Sequence, residues 1–264
     1  SDKLLFAVLK YRPVALHAAT GEVAVELGDL VKPTTLIHAG NRVIAADAES
    51  VRAFAPESGK ELWNVPAADS RNVITDGNVT TFIQGRLRRG DMAEVVAVDA
   101  ETGKVKWQRT DFTWLSRTTR TVLAKGQLVF EVSTFNDDDE GNGIHVVSAE
   151  TGEHQWSKHY APGMNHRRQA RAMFLEDDLW ILHGGKVNTA DKTKRERVPV
   201  QISALDPFTG KTRVTYPAGL THCFPPVATA NFMFAGELDM TNLKTGETIA
   251  NRITKANCSR ENGW

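Results

Sequence analysis

Apolar residues alternate with small or polar ones along two short stretches of residues 95–107, and a turn separates the stretches. Val96 and Val98 follow the period-two pattern of a half-buried β-strand. Residues 99–103 then turn the chain, because an aspartate can hydrogen-bond backbone groups ahead of it and a glycine accepts the positive φ of a tight turn. The alternation resumes up to Trp107. The pattern predicts a hairpin whose tryptophan covers the seam between neighbouring sheets.

This hairpin pattern recurs along the chain. Its turn glycines stand at positions 21, 59, 103, 152, 210 and 246, at intervals of 36 to 58 residues. A period near forty residues fits one four-stranded sheet per repeat, which is the period of a propeller blade. Three copies keep the aromatic residue, so we predict that it packs between blades at Trp63, Trp107 and Trp156.

An earlier hairpin precedes most copies, for example around Gly40 and Gly77, so each repeat supplies four strands. The two short turns of a repeat then lie at one end of its sheet, and the longer connections lie at the other, which we call the long-connection end. We expect a binding site at this end or at the mouth of the central channel. The connections concerned are residues 65–71, 84–93, 110–118, 136–143, 158–171, 184–197 and 217–226.

Residues 97–107 resemble the PQQ-like (pyrroloquinoline-quinone-like) β-propeller repeats, whose signature is Ala-x-Asp-x-x-Thr-Gly-x-x-x-Trp. The copies around Gly21, Gly210 and Gly246 lack the tryptophan. The resemblance spans nearly the whole chain and implies a propeller fold. It implies no single function, because such repeats build quinoprotein dehydrogenases, an outer-membrane assembly scaffold and other exported proteins.

We therefore predict an all-β fold: a β-propeller of four-stranded antiparallel blades, with six repeats visible in a single domain over residues 1–264. The residues ahead of the second repeat supply about three strands, so the first blade is one strand short. Three interpretations stay open. The chain is part of a seven- or eight-bladed ring, truncated at one or both ends; it is one piece of a chain processed in two; or it is a closed six-bladed ring.

The composition argues against some classes of function. Lys and Arg number 32, as do Asp and Glu, so no bulk charge favours nucleic acid or an anionic membrane surface. No apolar run approaches the roughly twenty residues that span a bilayer. The first residues lack a basic segment and an apolar signal core, so a signal peptide would lie outside this chain. With the family resemblance, we expect a periplasmic or extracellular location.

Cys223 and Cys258 are the only cysteines. Both belong to long connections, and an exported location favours a disulfide between them. Two free thiols, or partners outside the sequence, are the alternatives. Quinoprotein dehydrogenases hold their quinone with an adjacent Cys-Cys ring, a stacking tryptophan and calcium, and this chain has no Cys-Cys dipeptide.

Residues 136–143 offer carboxylate and amide oxygens beside glycines, so a calcium site that includes Asp137 and Asp139 is one hypothesis. The segment lacks a distal glutamate at EF-hand spacing. A solvated acidic loop is the favoured interpretation.

Positive side chains gather in the long connections and could bind a carboxylate or phosphate through arginine forks. The favoured alternative is solvated charge paired with Asp91, Glu94 and Asp111. His222 and Arg260 lie in polar connectors and complete the candidate ligand-binding set. Its other members are Arg86, Arg88, Arg89, His166, Arg167, Arg168 and Arg171.

The sequence thus favours a non-catalytic binding or scaffolding propeller that recognises a partner or an anionic ligand at the long-connection end. We expect no cofactor, and a protein or an anionic glycan as partner. One alternative is a PQQ- or metal-dependent oxidoreductase whose site is completed outside this chain. The other is an enzyme that acts on polysaccharide, with residues 166–171 forming an anion-binding groove.

Overall fold

The computed structural model describes residues 3–85, 93–133, 142–160, 170–186, 197–218, 226–235 and 239–250. In these residues the secondary structure is almost wholly β, with one short 3-10 turn at Leu115–Arg117. No helix in the described part of the chain is long and apolar enough to cross a membrane.

The strands divide between two compact units. The first unit consists of Ser1–Ser116 together with Ser148–Gly152 and contains three sheets. Its strands are, in sheet 1, β1 (Leu4–Leu9), β2 (Arg12–His17) and β3 (Val23–Glu26); in sheet 2, β4 (Thr35–Ala39), β5 (Arg42–Ala46), β6 (Ser50–Phe54) and β7 (Glu61–Pro66); and in sheet 3, β8 (Arg71–Thr75), β9 (Val79–Gln84), β10 (Glu94–Asp99) and β11 (Val105–Arg109).

The second unit consists of Arg117–Val147 together with Glu153–Trp264 and also contains three sheets. Its strands are, in sheet 4, β12 (Thr118–Ala124), β13 (Gln127–Val132), β14 (Gly143–Ser148) and β15 (His154–His159); in sheet 5, β16 (Arg171–Leu175), β17 (Asp178–Lys186), β18 (Arg197–Leu205) and β19 (Thr212–Pro217); and in sheet 6, β20 (Val227–Ala228), β21 (Phe232–Ala235), β22 (Asp239–Asn242) and β23 (Thr248–Ile249). The single domain predicted over residues 1–264 remains a prediction beside this division.

Every sheet runs in chain order with antiparallel neighbours. Sheets 2 to 6 have four strands and sheet 1 has three, as the repeats predicted. The order follows from the connections, because a tight turn forces the next strand to pair beside the one before it.

The turn before the last strand of each sheet has the conformation that its glycine suggested. The six turn glycines have φ between 68° and 76°. In sheet 3 the N–H of Gly103 donates to the Asp99 carbonyl at 2.9 Å. The Asp99 carboxylate accepts hydrogen bonds from the N–H groups of Glu101 and Thr102, at 3.1 and 2.8 Å. These bonds hold the turn in one conformation, which explains the recurrent polar residue four positions before the glycine.

The core lies in the middle strands of the sheets. All six residues of β13 are buried, whereas β19 alternates between half-buried and exposed positions. Middle strands are covered on both faces and therefore have nearly continuous apolar runs, whereas an edge strand keeps one face toward water. This difference in burial distinguishes the last strand of a repeat from the middle strands.

Candidate functional site

An aromatic side chain of one sheet covers the turn glycine of the next. In the first unit the Trp63 indole N–H donates to the Ala100 carbonyl at 3.0 Å. The Trp63 ring lies so close to Gly103 that a Cβ added there would stand 2.7 Å from the ring. The contact joins sheet 2 to the turn of sheet 3 through packing and one hydrogen bond.

The same joint recurs at other turns. Trp107 donates to the Ala149 carbonyl at 2.7 Å, and Trp156 donates to the Pro207 carbonyl at 2.9 Å. At the last turn a tyrosine ring, that of Tyr216, covers Gly246. The sequence pattern missed this residue because Val214 stands four residues after Gly210, where three copies have tryptophan, and Tyr216 lies two residues further along the strand. Since the three tryptophan rings lie against turns, they do not fit the stacking role that a quinone requires.

A buried charged cluster lies at the long-connection end of sheets 4 and 5, which both belong to the second unit. Glu131 of β13 is fully buried. Its carboxylate accepts a hydrogen bond from the Ala172 N–H at 2.8 Å and one from the Arg171 guanidinium at 3.2 Å. The Arg120 guanidinium lies 3.5 Å from Oε1, the oxygen that also accepts the Ala172 N–H, whereas Arg171 contacts Oε2. One carboxylate therefore serves two arginines and one backbone donor.

Two arginines, Arg120 and Arg171, occupy matching places in sheets 4 and 5. In the strand register Arg120 lies opposite Glu131 and Arg171 lies opposite Leu182, in each case at the fifth residue pair counted from the short turn. In sheet 3 Arg71 lies opposite Ile83, beyond a β-bulge that shifts the register between Arg71 and Ile74. The partner position is thus apolar in sheets 3 and 5 and acidic in sheet 4.

Burial raises the pKa of the Glu131 carboxyl above its ordinary value. The charges of both arginines and the Ala172 N–H oppose this shift, because they favour the carboxylate. With two guanidinium groups and one carboxylate, the cluster bears a net positive charge when Glu131 is ionised. The side chain of Arg120 is 42% exposed, so this charge reaches the surface.

Arg71 has a different environment in the first unit. One of its terminal nitrogens donates to the Gly85 carbonyl at 2.8 Å. Its Nε and its other terminal nitrogen are buried and have no hydrogen-bond partner within the described residues. Burial lowers the pKa of Arg71, and the charge of Asp69 opposes that shift.

A second polar network crosses sheet 5. His183 Nε2 lies 2.8 Å from the Ser203 hydroxyl, which lies 2.8 Å from the Thr215 hydroxyl. The Tyr160 ring packs against His183, with ring centres 4.6 Å apart. Burial, helped by the charge of Lys158, lowers the pKa of His183 from 6.5 to about 4. The imidazole is therefore neutral at physiological pH. Ser203 is 4% exposed, so the serine side of this contact is buried within sheet 5.

Arg171 is the only predicted ligand-binding residue within the described ranges, and its guanidinium lies on Glu131. Of the counter-ions proposed from the sequence, Asp111 binds Arg109 and Glu94 accepts a hydrogen bond from Gln84, while Asp91 lies outside the described residues. Glu131 was missed, although an acidic residue inside the apolar run of β13 could have signalled it. The remaining candidates lie outside the described residues: Arg86, Arg88, Arg89, His166, Arg167, Arg168, His222, Arg260, Asp137, Asp139, Cys223 and Cys258.

Among the residues that the structure describes, no group of three or more His, Cys, Asp or Glu side chains is placed to hold a metal ion. The calcium hypothesis rests on Asp137 and Asp139, which fall in the gap between residues 133 and 142.

Known proteins place these observations in a family. The family model described as "Outer membrane protein assembly factor BamB" matches residues 47–222. No curated protein sequence matches the chain. BamB from Moraxella catarrhalis superposes with a TM-score of 0.53 at 14% identity, over 96% of this chain and 73% of its own.

Other propellers superpose as well. The WD40 domain of Pan2 from Neurospora crassa gives a TM-score of 0.56 at 11% identity, over 93% of this chain and 74% of its own. The quinohemoprotein alcohol dehydrogenase from Comamonas testosteroni gives 0.51 at 12% identity, over 82% of this chain and 42% of its own. At these identities the structures share a fold.

The sheets, their turns and these superpositions define an all-β propeller protein with four-stranded blades. Since the family model covers two thirds of the sequence, the chain belongs to the BamB family of PQQ-like repeat proteins.

Proposed function

We propose that this chain is an exported, non-catalytic scaffold that binds an acidic segment of a protein partner at the long-connection ends of its sheets. The carrying observation is the arginine at the same register position in sheets 4 and 5, where both guanidinium groups contact the buried Glu131 carboxylate. Arginine forks bind carboxylates with defined geometry, which suits recognition of a protein surface. The family supports export, because its described member is an outer membrane protein assembly factor.

The charge of the cluster supports an acidic partner. Arg120 and Arg171 both contact the Glu131 carboxylate. Arg120 is the more exposed of the two arginines. An incoming carboxylate would bind the exposed part of the Arg120 guanidinium at low desolvation cost.

The joints between sheets support a scaffold. Aromatic rings seated on turn glycines leave little freedom for one sheet to shift against the next. A surface built on such sheets is held rigid before the partner arrives, and this reduces the entropy lost on binding.

Photo-crosslinking in the cell tests the proposal. A crosslinker at exposed Thr119, beside Arg120, should capture one protein partner, whereas a crosslinker at exposed Glu153, near the short turn of the same sheet, should not. Arg120→Gln should weaken capture at Thr119, and raised salt should do the same. Equal capture at both positions would contradict the proposal.

The absorption spectrum and metal content of the purified protein separate this scaffold from a quinone-dependent oxidoreductase. A scaffold should show neither a quinone band nor stoichiometric calcium. A bound quinone with dye-linked alcohol oxidation would overturn the non-catalytic assignment, whatever the crosslinking result.

A further inference from the structure

The side chain of Arg71 has two buried nitrogens, Nε and Nη2, that lack a hydrogen-bond partner in the part of the chain that the structure describes. Its third nitrogen, Nη1, donates to the Gly85 carbonyl at 2.8 Å. Nε and Nη2 lie on the same edge of the guanidinium plane, so their N–H bonds point in one direction. This edge is the fork that binds both oxygens of a carboxylate. Arg71 therefore presents a complete fork that its own sheet does not use.

The backbone around Arg71 fixes the position of this fork. Directly before it, the Ser70 hydroxyl donates to the Asp47 carbonyl of sheet 2 at 3.2 Å. Directly after it, a β-bulge interrupts the register between Arg71 and Ile74. Asn72 in this bulge has a φ of 52°, which few side chains adopt. Bulges redirect side chains and recur beside binding sites, so the local backbone is suited to hold a ligand-binding arginine.

A ligand at this fork would recover free energy that the fold leaves unused. Buried donors of a charged group lose their contacts with water, and a missing partner is costly. The charge of Asp69 acts on Arg71, yet neither Nε nor Nη2 is hydrogen-bonded to it. Because this negative charge is already close, a singly charged anion fits the site better than a doubly charged one.

Two other arginines of the chain show which group such a fork binds. Arg109 donates from Nε and Nη2 to the two carboxylate oxygens of Asp111, at 2.7 and 2.6 Å. Arg171 begins sheet 5 as Arg71 begins sheet 3, and it contacts the carboxylate of Glu131 in the preceding sheet. A carboxylate is therefore the group that both comparisons favour for Arg71.

We propose that Arg71 binds one carboxylate group from outside the chain, with one oxygen on Nε–H and the other on Nη2–H. A small carboxylic acid and an acidic side chain of a protein partner share this chemistry. The inference goes beyond the proposed function, because Arg71 belongs to the first unit and requires neither Arg120 nor Arg171. Since both nitrogens are covered, the carboxylate enters only when the covering groups move, and association is slower than at an open site.

NMR of the arginine Nε–H groups tests the proposal with acetate as the probe. The Arg71 signal is identified by its loss in Arg71→Lys. Acetate at about 0.1 M occupies most of a site with a Kd of about 10 mM. It should move the Arg71 Nε–H proton to higher frequency, because a charge-assisted hydrogen bond forms there. Chloride at the same ionic strength should not. If sulfate acted as strongly as acetate, the assignment to a carboxylate would be wrong.

Matched variants separate the fork from the charge. The amide signal of Gly85, beside the guanidinium, reports acetate binding in each of them. Arg71→Lys keeps the charge without the fork and should weaken acetate binding at least about tenfold. Arg52→Lys is the control, because the Arg52 guanidinium belongs to the same unit and already binds Asp29 at 2.7 Å. Unchanged affinity in Arg71→Lys would contradict a role of the fork.

A carboxylate supplied by the chain itself should compete with acetate. Ala46 of β5 occupies the place that Glu131 has in sheet 4, at the fifth pair from the short turn. Ala46→Glu should shift the Arg71 Nε–H signal without acetate and abolish the response to acetate. Ala46 is fully buried. If this variant does not fold, the comparison of Arg71→Lys with Arg52→Lys decides alone.

A peptide distinguishes the two sources of the carboxylate. N-acetyl-Gly-Glu-Gly-amide carries a side-chain carboxylate and no terminal one. A response at least as strong as that to acetate would assign the site to an acidic residue of a partner. A response to acetate alone would assign it to a small carboxylic acid.

Unchanged Arg71 Nε–H and Gly85 signals with both probes would overturn the inference. So would a shift of the Arg71 Nε–H signal in Asp91→Asn without acetate, because an aspartate of the chain would then hold the fork. Neither result affects the crosslinking expected at Thr119, so failure of this inference and failure of the proposed function are distinguishable.

Discussion

Two pairs of neighbouring sheets use the same repeat and join through different chemistry. Between sheets 2 and 3 the buried cluster is apolar, with residues such as Ala46, Trp63 and Phe82. Between sheets 4 and 5 an apolar cluster with Ile144 and Ile181 is accompanied by the buried ion pair and the histidine network. The repeat therefore specifies that neighbouring sheets pack, and single substitutions decide whether the packed layer holds charge.

The difference starts from one residue. Glu131 occupies the place that Ala46 has in sheet 2, at the fifth pair from the short turn. An arginine begins the next sheet in both cases, Arg71 after sheet 2 and Arg171 in sheet 5. The Arg171 guanidinium of sheet 5 binds the Glu131 carboxylate of sheet 4. In sheet 3, next to Ala46 of sheet 2, the Arg71 guanidinium instead donates to the Gly85 carbonyl, which directly follows β9.

Among the variants that test this comparison, replacing the buried Glu131 carboxylate should lower the free energy of unfolding most. Glu131→Leu leaves Arg171 buried without its counter-ion and should lower the free energy of unfolding by about 3–5 kcal/mol. The double variant Glu131→Leu/Arg171→Leu removes the buried guanidinium together with its carboxylate and should recover part of the loss, because the Ala172 N–H still lacks its acceptor. Urea unfolding followed by tryptophan fluorescence measures both.

Asp177→Leu provides the control, because it breaks an exposed ion pair with Lys125 in the same unit. It should leave unfolding near that of the wild type. Equal losses in the single and double Glu131 variants would show that the ion pair is not the cause.

Both pairs of sheets have a tryptophan ring packed on a turn glycine. Disrupting this contact should therefore lower the free energy of unfolding equally in each pair. Gly103→Ala and Gly210→Ala each place a Cβ 2.7 Å from a tryptophan ring at positive φ. Backbone strain and overpacking together should lower the free energy of unfolding by about 2–5 kcal/mol. Thermal and urea unfolding would show whether the two losses agree.

Gly40→Ala separates strain from crowding. This glycine has a φ of 61°, and an added Cβ meets no atom within 4 Å. The variant should lose only about 1–2 kcal/mol, which is the cost of a left-handed conformation with a side chain. A loss as large as that of Gly103→Ala would contradict the role of the tryptophan contact.

Acidification should lower the free energy of unfolding through His183, which belongs to the polar network of sheet 5. Its folded pKa is lowered to about 4, so between pH 6.5 and 4 the unfolded state binds more protons at this position. The contribution of His183 to the free energy of unfolding is therefore fully present above pH 6.5. Acidification to pH 4 reduces it by about 3 kcal/mol. Urea unfolding at several pH values, compared with His183→Gln, isolates the contribution.

Glu131 contributes with the opposite sign. Its folded pKa is raised, so the native state binds the proton more readily than the unfolded state. That contribution is present below the unfolded pKa and is lost as the pH rises through the folded pKa. If wild type and His183→Gln had parallel pH profiles, the assignment of the acid sensitivity to His183 would be wrong.

The smallest effect concerns the indole hydrogen bonds. Trp63→Phe keeps the ring on Gly103 and removes the donor to Ala100, so it should cost about 1 kcal/mol. Trp156→Phe should cost the same, because its donor contacts Pro207 in the same way. A much larger loss in one of them, measured by urea unfolding, would show that the two joints are not equivalent.

Much of this architecture could be predicted because the repeat is local. The turn at Gly103 needs only Asp99, Thr102 and the glycine, all within five residues. The three strands of sheet 1 could likewise be counted from alternation and turn residues. The contact of Tyr216 with Gly246 escaped prediction, because Tyr216 lies two residues beyond the position at which the repeat has tryptophan.

The candidate site was less accessible to such reasoning. Arg171 was identified as a positive residue in a long connection, yet its partner Glu131 is 40 residues earlier. Counter-ions had been sought nearby at Glu94 and Asp111, which bind other groups. Ion pairs between sheets depend on register and on which sheet follows which, and neither is visible in a local pattern.

The sequence by itself determined the all-β class, the repeat and its glycine turns, because alternation and turn chemistry act over a few residues. Only the tertiary structure decided that Glu131 is shared by Arg120 and Arg171 and that His183 is neutral. These properties depend on burial and on strands brought together from distant parts of the chain, and they set the charges and surfaces available for binding.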